Sequence, residues 1–117
     1  MDAFQTQRNH WLNKATVCDT AFAPPAESGG SFYAQLMTLH HLQQTADPRP
    51  RLQGNQTPLL LFRGQCDNQP WGVVPDYLGP FTNARLENVP GAGHVIATEQ
   101  AAEYARRLGE FLEEDLP

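Results

Sequence analysis

Four consecutive apolar residues, Leu59, Leu60, Leu61 and Phe62, constrain the rest of the chain more than any other feature. The run is strand-length and does not alternate. That suits a strand covered on both faces, as in a parallel sheet packed between helices. Residues 71–78 then read as a short helix, with Pro75 tolerable only in its first turn. Residues 83–89 read as a second, weaker strand, and residues 90–93 (P-G-A-G) as a tight turn. A last helix begins near Thr98, where Ala101, Tyr104, Leu108, Phe111 and Leu112 fall on one apolar face. A strand–helix–strand unit of this kind is nearly always parallel and right-handed. Two parallel strands make a poor independent sheet, because parallel sheets need both faces covered and further neighbours at their edges. Residues 57–117 are therefore expected to be the edge of a larger α/β sheet.

Residues 1–56 differ in character. They are polar and helical in pattern, with irregular breaks. Asp2 is placed to cap a helix through Phe4, Trp11, Leu12 and Ala15. The stretch at residues 21–31 is a loop by its Pro, Gly and Ser content. Ser31 stands at an N-cap position, followed by Phe32, Leu36, Leu39 and Leu42 at helical spacing. The sequence DPRPRLQGNQTP (residues 47–58) ends that helix and is expected to lead out extended, since each proline disfavours helix in the residue before it.

Charge narrows the function classes. The 117 residues carry a net charge of -5 with no basic stripe, which leaves little support for nucleic acid or an anionic membrane surface as partners. No segment is long and apolar enough to span a bilayer, and the first residues lack the apolar core of a signal peptide. Cys18 and Cys66 form no CxxC pair or disulfide framework. They read as free thiols in a reducing, cytoplasmic setting.

In open α/β sheets, functional groups gather beyond the carboxyl ends of strands. Asp67 follows the first strand and His94 the second, so adjacent parallel strands would bring their loops together. A carboxylate beside an imidazole is the orienting pair of a nucleophilic triad: it fixes the tautomer and stabilises the imidazolium. Gly91 and Gly93 allow a tight backbone before His94. The plainer reading is an Asx turn at Asp67 and a solvent-exposed histidine.

The stretch from Thr57 onward resembles the C-terminal region of α/β-hydrolases, with the proline-iminopeptidase-like and epoxide-hydrolase-like branches nearest. The motif G-x-x-D is matched by Gly64, Gln65, Cys66 and Asp67, and G-x-G-H by Gly91, Ala92, Gly93 and His94. The phrase P-N-A-R-L is matched by Thr82, Asn83, Ala84, Arg85 and Leu86, with threonine where proline is common. The resemblance covers roughly the last half of the chain. It implies a catalytic acid at Asp67 and a catalytic base at His94. It also makes residues 1–56 the end of a helical cap domain, and residues 57–117 two parallel edge strands with flanking helices.

The family's chain order is nucleophile, acid, base, with the nucleophile on a G-x-S-x-G elbow. No such elbow precedes Asp67. The cluster Glu27, Ser28, Gly29, Gly30 and Ser31 lacks the strand and the flanking pattern, so neither serine is read as the nucleophile. Cys66 adjoins the acid and reads as a small buried thiol. His10, His40 and His41 lack partners at ligand spacing and read as surface or cap-lining residues. No metal or other cofactor is implied.

Three expectations follow. In the first, a partner chain carries the nucleophile and this chain supplies Asp67 and His94 for hydrolysis of an ester, amide or related bond in a small-molecule substrate. In the second, the chain is an interaction module descended from a hydrolase, for example a homodimer. In the third, it is a fragment of one ordinary hydrolase.

Overall fold

The computed structural model describes residues 1–25 and 32–114. Helix and strand are mixed. The order is α1 (Asp2–Ala15), a 3-10 turn (Thr20–Phe22), α2 (Phe32–Gln44), α3 (Arg49–Leu52), β1 (Leu59–Gly64), α4 (Val73–Leu78), β2 (Ala84–Val89), α5 (Ile96–Glu99) and α6 (Ala101–Glu114).

Strands β1 and β2 pair in parallel, from Leu59 opposite Ala84 to Gly64 opposite Val89. The expected strand–helix–strand–helix succession is thus present, with α4 as the crossover. Val89 and Ala92 are fully buried and pack with Ile96. Phe62 and Tyr104 close over this cluster, their ring centroids 5.0 Å apart. Phe111 is buried further along α6, with the Arg85 guanidinium 5.5 Å from its ring centroid. The middle of the apolar face read for α6, Tyr104 and Phe111, therefore packs on the sheet, whereas Ala101 and Leu112 at its ends are exposed. Ion pairs run along the flank of α6: Arg106 and Arg107 both bind Glu103, and Arg107 also reaches Glu87 on β2.

The sheet is less covered than the apolar run predicts. Leu59, Leu60, Leu61 and Phe62 are only half-buried, because the described residues supply two strands and no more. Covering these side chains fully would take further neighbours on the sheet.

The first half forms its helices but little core. In α1 the N-cap position belongs to Met1, without a side-chain cap, so the cap expected at Asp2 is displaced by one residue. Phe4 and Trp11 of α1, and Tyr33, Leu36, Met37, Leu39 and Leu42 of α2, are all more than half exposed. The two helices meet through a polar contact instead, the buried Gln5 amide donating to Gln35 Oε1 at 2.6 Å. The Ser31 cap lies outside the described residues. The extended linker is corrected: residues 49–52 make a helical turn. Pro48 has helical torsions (φ -77°, ψ -17°), and Pro50 falls in the first turn, where a missing N–H is harmless.

The free thiols are a second correction. Cys18 and Cys66 are joined in a disulfide across 48 positions of sequence, with Cα atoms 5.3 Å apart. Spacing alone does not reveal it, because a single pair leaves no framework to read. Among the described residues no helix is long and apolar enough to cross a membrane.

Candidate functional site

The parallel register ends β1 and β2 level with each other, so the two loops leave the sheet side by side. They are then knitted by backbone hydrogen bonds. Gln65 N donates to Val89 O at 3.0 Å, and Cys66 N to Ala92 O at 2.9 Å. Gly64 has to be glycine for this to happen. A Cβ there would stand 2.0 Å from Gly93 O and 2.4 Å from Ala92 O. Gly91 has φ +67°, a left-handed value that glycine adopts freely. Gln65 holds this turn by accepting from Gly91 N at 3.0 Å, and Gln100 donates to Gly91 O at 3.2 Å.

The two sequence-predicted site residues meet here. His94 Nδ1 lies 3.3 Å from both carboxylate oxygens of Asp67. The Asp67 side chain is 8% exposed and that of His94 is 55% exposed. A buried carboxylate thus stands beside an open ring. Asp67 Oδ1 also accepts from Gln69 N at 2.9 Å, the Asx-type bond of the plainer reading. The two readings coexist, because the turn is what aims the carboxylate. An ionised carboxylate only accepts, so the pair favours the tautomer with the proton on Nδ1. That leaves Nε2 as the basic nitrogen, and Nε2 has no partner among the described residues. At 3.3 Å and shared between two oxygens, the bond is longer than a charge-assisted one at its best.

Several residues that sequence reasoning passed over hold this arrangement. Arg63, the next-to-last residue of β1, is buried. Its guanidinium donates to Gln69 O and to Asp67 O, and lies 4.0 Å from the Trp71 ring centroid. Glu99 accepts from Gly93 N at 2.6 Å. An acid in a helix's first turn suits the helix dipole anyway, so nothing in the pattern marks Glu99 as different. Cys66 is bonded to Cys18 and is not the buried thiol expected.

A cleft of about 380 Å³ opens beside the pair, lined by Leu61, Phe62, Val73, Val74 and Tyr77 with Arg63, Asp67, Gln69 and His94. Both serines of the chain, Ser28 and Ser31, lie outside the described residues. His10, His40 and His41 are exposed, and the His40 ring is hydrogen-bonded to Gln44 along α2. Among the described residues no group of three or more His, Cys, Asp or Glu is placed to hold a metal ion.

Compared with protein-family models, curated proteins and solved structures, the chain finds no match in any of the three.

Proposed function

We propose that residues 57–117 are the acid–histidine part of an α/β-hydrolase-like catalytic unit, whose nucleophile comes from a partner chain or another segment. The observation that carries this reading is His94 Nδ1 at 3.3 Å from both oxygens of a buried Asp67, with the ring otherwise open. The half-covered sheet supports it, since a parallel sheet this small calls for more strands.

In this reading His94 Nε2 takes the proton of the incoming nucleophile as it attacks the carbonyl carbon of an ester or amide. The same proton then passes to the leaving group, and Asp67 stabilises the imidazolium in between. The apolar walls of the cleft suit an apolar part of a small substrate. As to compartment, the cytoplasmic placement rested on free thiols. A Cys18–Cys66 bond fits an oxidising compartment better.

The test is native mass spectrometry of the protein purified from its own cells, followed by labelling with a serine-reactive fluorophosphonate. The expected result is a stoichiometric partner that takes the label. Replacing His94 by Gln should slow labelling by about 10³-fold or more, as loss of a triad base does. A partnerless monomer that leaves the probe unreacted overturns the reading. The second reading, a non-catalytic interaction module, is favoured by the exposed apolar residues of α1 and α2. It predicts a homodimer or heteromer whose function survives His94→Ala.

A further inference from the structure

Residues 16–19 lie between α1 and the 3-10 turn, far in sequence from the acid–histidine pair, yet they bear directly on its two loops. His94 N donates to Thr16 O. A Cβ on Gly93 would be 2.2 Å from Thr16 O and 2.6 Å from Val17 Cα, so the segment rests on the histidine loop with no room between. Val17 is buried there. The Glu99 carboxylate joins the two from below. Oε1 accepts from Cys18 N at 2.7 Å and Asp19 N at 3.0 Å, while Oε2 accepts from Gly93 N at 2.6 Å. Finally Cys18 is covalently bound to Cys66, whose own N–H holds Ala92 O and whose neighbour is Asp67.

We propose that residues 16–19 are a strap that positions His94 against Asp67, with the Cys18–Cys66 bond and Glu99 as its two fastenings. The proposal rests on the acid–histidine reading above. Two strap donors and one histidine-loop donor on a single carboxylate, together with one covalent link, fix the strap. The strap in turn fixes the backbone N–H of His94, and through it the ring's approach to the carboxylate. Cys18, Cys66 and Glu99 are positioning residues here, because none of them touches a reacting atom.

The fastening is also redox-sensitive. A dithiol reductant would open it by thiol–disulfide exchange. One reductant thiolate attacks a cysteine sulfur and displaces the other, and the second reductant thiol closes on the first. Cys18 and Cys66 each gain a proton and together two electrons, and the dithiol leaves as its own disulfide. The pair's geometry should then depend on thiol state.

The readout is the ring of His94 by ¹⁵N NMR on the full chain, assigned with His94→Gln. The nitrogen shifts report which nitrogen carries the proton. The oxidised protein should show His94 with the proton on Nδ1, unlike the exposed His10, His40 and His41. Reduction with dithiothreitol should move its two nitrogen shifts toward those of the other three histidines. Glu99→Gln in the oxidised protein, which replaces one acceptor oxygen by an amide, should move them part of the way. A role in stability alone would leave the tautomer unchanged while the fold persists. Amide shifts of β1, β2 and α6 show that persistence. If reduction unfolds the chain, Glu99→Gln decides alone. His94 shifts unmoved by Glu99→Gln, or by reduction of a chain that stays folded, overturn the strap. Asp67→Asn separates this from failure of the underlying pair: if it too leaves the oxidised His94 ring unchanged, the acid–histidine pair itself is wrong.

Discussion

Residues 57–117 and residues 1–56 both carry apolar side chains at helical spacing, but only the first group puts them to structural use. In α6, Tyr104 packs on Phe62 and the Val89–Ala92 cluster, and Phe111 is buried beside Arg85 of β2. In α2, Leu36, Leu39 and Leu42 stand in solvent. The difference teaches that periodicity specifies a face and not its partner. A helix earns most of its stability from the face it buries, and propensity alone leaves short helices marginal in water. The second half contains its own partner, a sheet. The first half touches the rest through its strap, with the buried Val17 and one disulfide, and through the backbone of Asn55 and the Arg49–Asp76 ion pair.

The sharpest way to break this contrast is to truncate one apolar residue on each side. Phe111→Ala should cost about 3–5 kcal/mol, as large-to-small changes in cores do. Leu39→Ala should cost less than about 0.5 kcal/mol, because an exposed side chain loses almost no burial. Urea unfolding of the purified chain measures both. A Leu39→Ala cost comparable to that of Phe111→Ala would mean that α2 packs on something in solution, and the two halves would no longer differ in kind.

The same contrast governs what could be read from sequence. The strands, the crossover and the face of α6 were legible because a run of Leu and Phe and a 3.6-residue period each have few structural solutions. Asp67 and His94 were legible because parallel strands of equal phase put their loops together, and the register from Leu59–Ala84 to Gly64–Val89 does so. Three things were not legible. The helical turn at Arg49–Leu52 carries ion pairs of Arg49 with Asp47 and Asp76, and Asp76 is distant in sequence. The Cys18–Cys66 bond and the triple role of Glu99 depend on where residues 16–19 come to rest. No local pattern encodes that contact, since it joins residues 48 or more positions apart and the partners it offers the Glu99 carboxylate are backbone N–H groups that every non-proline residue carries.

The seam between the halves can be probed with one methyl group. Gly93→Ala would place a Cβ at 2.2 Å from Thr16 O, against backbone that cannot rotate away. The strap or the histidine loop must shift, at about 1–3 kcal/mol, the usual range for overpacking. The same change at Gly109, inside α6 with nothing within 4 Å of the new atom, should raise stability by roughly 0.5–1 kcal/mol through helix propensity. Hydrogen exchange should show amides of residues 16–19 losing protection in Gly93→Ala only. Equal and small effects at both glycines would mean that the strap lies loosely on the loop and that the disulfide, not close packing, holds it there.

The smallest expected effect concerns charge, and it too separates the halves. Helix α2 contains no Asp, Glu, Lys or Arg, whereas α6 sets Glu103 between Arg106 and Arg107. Hydrogen bonds first from Arg106 and then from Arg107 hold the Glu103 carboxyl at about 2, down from 4.5. A carboxyl depressed in the folded state stabilises the fold at pH above its unfolded value and ceases to do so as pH falls through its folded one. The contribution of Glu103 should therefore be complete above pH 4.5 and disappear between there and about pH 2. Because the group is exposed, solvent and salt screen it, and the effect on the unfolding midpoint should be slight. The measurement is thermal unfolding of the chain and of Glu103→Gln across that range. The gap between the two should close on acidification and shrink in high salt. A gap that persists unchanged at low pH would mean that Glu103 acts through packing on α6 and not through its charge. The charge contribution of α6 would then rest on Arg106 with Glu110 and Arg107 with Glu87, still set against an α2 that contains no Asp, Glu, Lys or Arg.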